Sequence, residues 1–227
     1  MFMASIQLAG QIAMALESRP ELVGLDWLAS WLIPALRDKP GGTPQLPRPE
    51  LGTLAISLLD CEVHLDGLLE VLAESEFEDE RRTAARNPET PWAFRSALSL
   101  DARATVRAGV AGWCVAEAVE DAELIERLAT DRDPSVRKVM VRHPQLPTHL
   151  RPQLVQDRSW RVREAVASLD WPEHFQTLAQ DIAQVRTALA KNLAIPAEIE
   201  LLLAKEPEPL EMLLTCRTRS EQPLKSK

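Results

Sequence analysis

Tyrosine is absent from this chain, and cysteine occurs only three times, at Cys61, Cys114 and Cys216. An odd number of widely separated thiols excludes a disulfide framework and supplies no Cys-x-x-Cys knuckle for a metal. Such cysteine usage fits a reducing compartment, so a cytoplasmic location is expected. Basic charge is also in deficit. Lys and Arg number 26 against 34 Asp and Glu, a formal net charge of −8, which disfavours a nucleic-acid binder held by net charge alone. The first residues, Met-Phe-Met-Ala-Ser-Ile-Gln, carry no basic leader, and Gln7 and Gln11 interrupt the apolar run. They read as neither a secretory signal nor a membrane span. Missing too are a Gly-rich phosphate loop, a Gly-x-Ser-x-Gly elbow and a His-Glu-x-x-His pair. No catalytic residue, metal site or cofactor is therefore expected.

What is present is enough apolar matter to fold unaided: 227 residues with 45% hydrophobic side chains can bury a core without staples. The acidity is unevenly spread. Residues 1–77 hold 4 basic and 11 acidic groups, whereas 78–205 hold 18 and 19, and 206–227 hold 4 and 4. The nearly neutral middle is also where the chain repeats itself.

Asp131-Arg-Asp-Pro-Ser-Val-Arg137 matches Asp157-Arg-Ser-Trp-Arg-Val-Arg163. The pattern recurs from Asp101 to Val106-Arg107 and, one residue shorter, from Asp181 to Val185-Arg186. An eroded copy near Glu78 puts Arg81 in the same column. Pro91, Pro147 and Pro196 stand ten residues after Arg81, Arg137 and Arg186, and Pro172 stands nine after Arg163. Three residues beyond each proline comes Phe94, Leu150, Ile199 or Phe175. Successive arginines are 26, 30, 26 and 23 apart, the long step being explained by extra residues in 112–121.

Each period reads as two short helices. In the third, Asp133 caps, Pro134 takes the first helical position, and Val136, Val139 and Met140 share one face. His143-Pro144 ends that helix, and Pro147 opens the second. Helices this short are marginal alone, so each unit must gain its stability by stacking on its neighbours. The expectation is an all-α fold, an α-solenoid of short helical pairs.

The strings Arg81-Arg-Thr-Ala-Ala-Arg-Asn-Pro-Glu-Thr-Pro91 and Val136-Arg-Lys-Val-Met-Val-Arg-His-Pro-Gln-Leu-Pro147 resemble the leucine-rich-repeat variant family, a relative in shape of HEAT repeats. The likeness covers about residues 78–205, with a weaker copy over 51–74. It implies α and 3₁₀ helices stacked in a superhelix. Some members hold an iron–sulfur centre on an N-terminal cysteine cluster; this chain lacks those cysteines, and that cofactor is not carried over.

The chain accordingly divides into three regions. Residues 1–50 form an N-terminal helical cap, with helices over 3–17 and 21–36 and a Pro/Gly-rich connection over 38–50. Pro34 is expected to kink or stop the second of these helices. Residues 51–205 form the repeat array, and 206–227 a C-terminal cap with a loose tail from 217.

Two arginine sets invite a functional reading. The column Arg81, Arg107, Arg137, Arg163 and Arg186 travels with Asp101, Asp131, Asp157 and Asp181, and a structural ladder of guanidinium to neighbouring carboxylate is the favoured account. Arg82 and Arg86, then Lys138 and Arg142, stand at i, i+4 away from the apolar face. Residues 132–163 carry a net charge of +6 and include Trp160. Arg82, Arg86, Lys138, Arg142 and Trp160 are thus the candidate binding surface, with the tryptophan as apolar anchor. His143 fills the helix-ending position held by Asn87 in an earlier copy, which suggests a capping role; His149 lacks the companions a metal would need, and Cys114 reads as a buried thiol.

The function these features favour is a non-catalytic scaffold that binds another protein, an acidic one fitting best, with oligomeric state left open. The alternative is a nucleic-acid-binding HEAT-like protein, a DNA-repair glycosylase-like enzyme in the sharpest form. Trp113, Trp160, Asp170 and Trp171 supply the residue types that resemblance would call for, though a core or cap role for the tryptophans is favoured.

Overall fold

The computed structural model describes residues 26–37, 47–113 and 119–205, together with Gln7, Gly10, Gln11 and Met14. Among them are thirteen α-helices, two 3₁₀ turns and no strand. None of the described helices is long and apolar enough to cross a membrane. The chain divides into two compact units, Met1–Trp113 and Cys114–Lys227.

In the first unit α1 (Asp26–Leu36) packs on α2 (Arg48–Asp60) and on α3 (Leu68–Ala73). Their shared core is Leu28, Leu32, Leu36, Leu54, Leu58, Leu68 and Leu72. Next, α4 (Glu78–Arg86) lies against α3, and α6 (Ala104–Trp113) lies along α4, with α5 (Trp92–Leu98) beneath both. Close approach of α4 and α6 depends on small residues: a β-carbon at Gly109 would sit 3.0 Å from that of Ala85.

The second unit repeats one arrangement. Helices α8 (Pro134–Met140), α10 (Trp160–Ala167) and α12 (Ala183–Ala190) form a row, α8 against α10 and α10 against α12. Preceding the row, α7 (Val119–Ala129) packs on α8. Between row members the chain makes a shorter second element. A 3₁₀ turn at Thr148–Leu150 leads into α9 (Arg151–Val155), another at Pro172–His174 leads into α11 (Phe175–Leu178), and α13 (Ala197–Leu203) follows α12.

Periodicity explains this regularity. The valine before each ladder arginine, at Val106, Val136, Val162 and Val185, is completely buried. Leu150, Leu154, Phe175, Leu178, Ile199 and Leu203 supply the complementary layer from the second elements. The start of α8 is fixed by a side chain. Asp133 Oδ1 accepts from Ser135 N at 2.8 Å, with Pro134 in the first turn where no donor is missed. Helix ends are fixed by another column. Asn87 Oδ1, His143 Nδ1 and Asn192 Oδ1 each accept from the backbone N–H two residues on, at 2.9, 3.2 and 3.0 Å.

Two boundaries differ from the sequence reading. Pro34 does not stop its helix, which continues to Leu36: the ring removes only its own N–H donor, and Arg37 N still closes the last turn on Ile33 O at 3.2 Å. The Pro/Gly-rich connection ends sooner than Glu50, because Pro49 sits in the first turn of α2, where proline is tolerated. Helix 3–17 (apart from Gln7, Gly10, Gln11 and Met14), the start of helix 21–36, residues 38–46, the inserted residues 114–118 with Cys114, the side chain of Trp113 and the C-terminal region 206–227 lie outside the described residues.

One buried ion pair in the first unit has no counterpart in the repeats. Arg48 grips Glu80 with both ends of its guanidinium, Nη1 to Oε1 at 2.6 Å and Nη2 to Oε2 at 2.8 Å, and Nε donates to Leu36 O at 2.9 Å. Glu80 is only 3% exposed. Gly52 makes room for it: a β-carbon there would collide with Glu80 Oε1 and lie 2.9 Å from Cδ. In a free helix Gly→Ala stabilises by about 1 kcal/mol. Here Gly52→Ala is expected to have the opposite sign, destabilising by about 1–3 kcal/mol through overpacking against a carboxylate that cannot swing away. Urea titration of the purified variant reads the sign directly.

Candidate functional site: a basic cleft beside an arginine ladder

The ladder arginines do two jobs at once. Each donates from Nη1 to the carbonyl that opens its own repeat: Arg81 to Ser75, Arg107 to Asp101, Arg137 to Asp131, Arg163 to Asp157 and Arg186 to Asp181, at 2.9, 2.8, 2.6, 2.6 and 2.5 Å. Arg81, Arg137 and Arg163 also reach the aspartate of the next repeat. Nε of Arg81, Arg137 and Arg163 donates to Oδ2 of Asp101, Asp157 and Asp181, each at 2.6 Å.

Those aspartates are in turn tied to their own helix starts. Oδ1 of Asp101, Asp131 and Asp157 accepts from the N–H two residues on, at 2.8, 2.8 and 2.7 Å, and Asp181 Oδ1 accepts from Ile182 N at 2.7 Å. A single carboxylate thus sets the turn of one repeat and receives the guanidinium of the previous one. Arg137 and Asp157 are the most enclosed pair, with both side chains 5% exposed.

Burial by itself pushes the carboxyls of Asp101, Asp157 and Asp181 up. Hydrogen bonds from the ladder arginine and the helix-start N–H, with the nearby positive charge, more than offset it and hold all three below the usual aspartate range. A folded-state value below the unfolded value, about 3.9, means that the folded chain binds protons less readily than the unfolded one. Stability from these groups is therefore complete above about pH 4–5 and drains away as pH falls through the depressed folded values. Acid denaturation followed by far-ultraviolet circular dichroism checks this. With Asp101, Asp157 and Asp181 replaced by asparagine, the chain loses the steep part of that acid response.

Along the α8–α10–α12 row lies an open cleft of about 700 Å³, lined by Lys138, Arg142, Glu164, Ala165, Ser168, Ala183, Gln184, Thr187, Ala188 and Lys191. Its residues follow the repeat register. Lys138, Glu164 and Thr187 each come directly after a ladder arginine, and Arg142, Ser168 and Lys191 each come five residues after one. Two neighbouring columns thereby bring three cations, one carboxylate and a floor of small or hydroxylated side chains together. Lys138 Nζ stands 4.0 Å from Glu164 Oε2, a loose and solvated contact. The side chains of Arg142 and Lys191 form no ion pair or hydrogen bond with any described residue.

The other candidates fall elsewhere. Arg82 pairs within its helix with Asp79 at 2.9 Å, and Arg86 lays its stem over Gly109; both belong to the first unit. Trp160, half-buried at the start of α10, carries the Arg161 guanidinium 5.1 Å from its ring centre and does not line the cleft. Trp171 is 7% exposed, with the Arg151 guanidinium 4.8 Å from its ring centre, so packing accounts for it; Asp170 is exposed. His149 meets Glu126 at 3.3 Å on the surface. Among the described residues no group of three or more His, Cys, Asp or Glu is placed to hold a metal.

No protein-family model matches the chain. None of the curated proteins compared with it matches either.

Local charge density in the sequence pointed to Lys138 and Arg142 but not to Glu164 or Lys191. Lys191 lies outside the basic stretch, and Glu164 has the opposite sign. The signal that finds both is the column, read one and five residues after each ladder arginine.

Proposed function

We propose that this protein is a non-catalytic, cytoplasmic repeat scaffold, an α-solenoid of the leucine-rich-repeat variant or HEAT-like kind, that binds an acidic protein partner through the cleft on α8, α10 and α12. The observation that carries this reading is the cleft itself, where Lys138, Arg142 and Lys191 converge and two of the three have no counter-charge among the described residues. Cations held in a concavity without partners cost solvation when covered by anything but an anion, so they select what docks. Side-by-side repeats suit such a role, since a row of like helices presents a continuous surface that a single short helix does not.

Nucleic acid is a poorer fit. No aromatic side chain lines the cleft for base stacking, and the chain as a whole carries −8. The direct test is protein capture by the immobilised chain and by its Lys138→Glu/Arg142→Glu variant. Capture that is salt-sensitive and lost with the charge reversal supports the reading; capture unchanged by the reversal removes the cleft from it.

A further inference from the structure

If the cleft is the docking surface of a scaffold, its charge pattern also selects the shape of its occupant. The three cations are not evenly placed. Lys138 of α8 and Arg142 in the turn that follows it stand at one side, Lys191 follows α12 at the other, and Glu164 of α10 stands between them. Adjacent packed helices lie about 8–10 Å apart, so the two basic sides are separated by about 16–20 Å across the row. An extended chain covers about 3.3 Å per residue and spans that distance in about five or six residues.

The floor favours an extended backbone over a helix. Ala165, Ala183 and Ala188 let a main chain come close, Gln184 and Thr187 supply amide and hydroxyl groups that both donate and accept, and Ser168, whose hydroxyl donates to Ala165 O at 2.7 Å, supplies a further acceptor. A helical ligand satisfies its own N–H and C=O groups and has no use for such a floor. An extended one brings them unpaired and needs partners for them.

We infer, resting on the scaffold reading, that the cleft binds an extended peptide segment of a partner protein with acidic side chains at its two ends, about five or six residues apart, and an uncharged middle over Glu164. Glu164 is the specificity-determining residue: it repels a carboxylate placed at the centre and leaves both ends attractive. Its loose contact with Lys138 does not cancel this, because at 4.0 Å and partly solvated the lysine stays available to a ligand.

Two peptides of identical composition and charge test the inference on the full chain. Fluorescein-labelled Glu-Glu-Ser-Gly-Ser-Gly-Glu-Glu carries its charge at the ends, and Ser-Gly-Glu-Glu-Glu-Glu-Ser-Gly carries it in the middle. At about 20 mM salt, where surface charges are little screened, anisotropy titration is expected to show the end-charged peptide binding about fivefold more tightly. Glu164→Gln reduces that preference to less than about twofold by tightening the centre-charged peptide. Lys191→Glu weakens the end-charged peptide about tenfold. Equal affinity of the unaltered protein for the two peptides overturns the inference, as does a preference that survives Glu164→Gln. Displacement of both peptides by an oligothymidylate at lower concentration overturns it in favour of nucleic acid. Reversal-sensitive capture of a protein partner without discrimination between the peptides would leave the scaffold reading standing and remove this one.

Discussion

Asp157→Ala is expected to destabilise the fold by about 3–5 kcal/mol, the cost typical of breaking a buried ion pair from one side. Arg137 is the reason. Its side chain is 5% exposed, and without Asp157 its Nε and Nη2 lose their acceptors while the charge cannot leave. Asp157 raises the guanidinium's hold on its proton through that hydrogen bond, against the opposing effect of burial, so deprotonation offers no escape. A second loss adds to the first, because Ser159 N gives up its 2.7 Å contact to Oδ1 at the start of α10. Asp157→Asn keeps an acceptor for Ser159 and should fall between the parent and the alanine variant. By contrast, Asp79→Ala removes the exposed partner of Arg82 and is expected to change stability by less than about 1 kcal/mol. Urea midpoints at unchanged slope read all three. A cost for Asp157→Ala as small as that for Asp79→Ala would mean that the ladder does not tie neighbouring repeats together.

The double variant Arg137→Met/Asp157→Leu separates the charge from the contact. Replacing both members of a buried pair by apolar groups of similar size is often close to neutral, because the desolvation cost disappears with the attraction. The double variant should therefore recover much of what Asp157→Ala loses. It should not recover all, since the carbonyl of Asp131 and the N–H of Ser159 lose the partners that Arg137 and Asp157 supplied.

Why the ladder was legible in the sequence and the Arg48–Glu80 pair was not is a matter of period. Asp and Val-Arg recur at a nearly fixed interval, so the chain aligned with itself shows both the buried valines and the paired charges. Arg48 and Glu80 occur once. Arg48 also stands among Pro44, Pro47 and Pro49, in a composition that reads as an exposed connection. The clue lay at the other end: Glu80 precedes Arg81 as Val106, Val136, Val162 and Val185 precede their arginines. A carboxylate in a column of fully buried valines requires a buried cation, and only a contact 32 residues away supplies it.

The cleft divides along similar lines. Lys138 and Arg142 are visible because they stand four residues apart in one basic stretch, the second just past the end of α8. Glu164 and Lys191 join them only through the lateral packing of three repeats, which no window of adjacent residues contains. Trp160 stands out in the sequence by its chemistry and not by its position. In the repeat register it aligns with Pro134 and Ala183, at the first turn of each row helix, where its ring stacks under Arg161 instead of facing a ligand.

Reversing Lys138 and Arg142 to glutamate is expected to reduce capture of an acidic partner by at least about tenfold, or about 1.4 kcal/mol, and to leave stability within about 0.5 kcal/mol of the parent. Both halves follow from where these side chains sit. The two are exposed, and Lys138 forms only the 4.0 Å contact with Glu164, so no buried group is orphaned when they change. The ligand meets the opposite situation. Three cations and one carboxylate become one cation and three carboxylates, and a segment drawn by the first set is repelled by the second. Most of the change should fall on the association rate and on its salt dependence, as for charges at the rim of an interface. Ladder and cleft thus make opposite demands of the same residue types, often one position apart in the chain. Substituting Arg137 should unfold the protein and affect binding only through folding, whereas substituting Lys138 should silence binding in a protein that melts as before. Surface plasmon resonance and thermal melting, run on the same two variants, read the two outcomes separately. If Lys138→Glu/Arg142→Glu melted well below the parent, the cleft cations would be structural after all, and the division of labour between the two columns would fail.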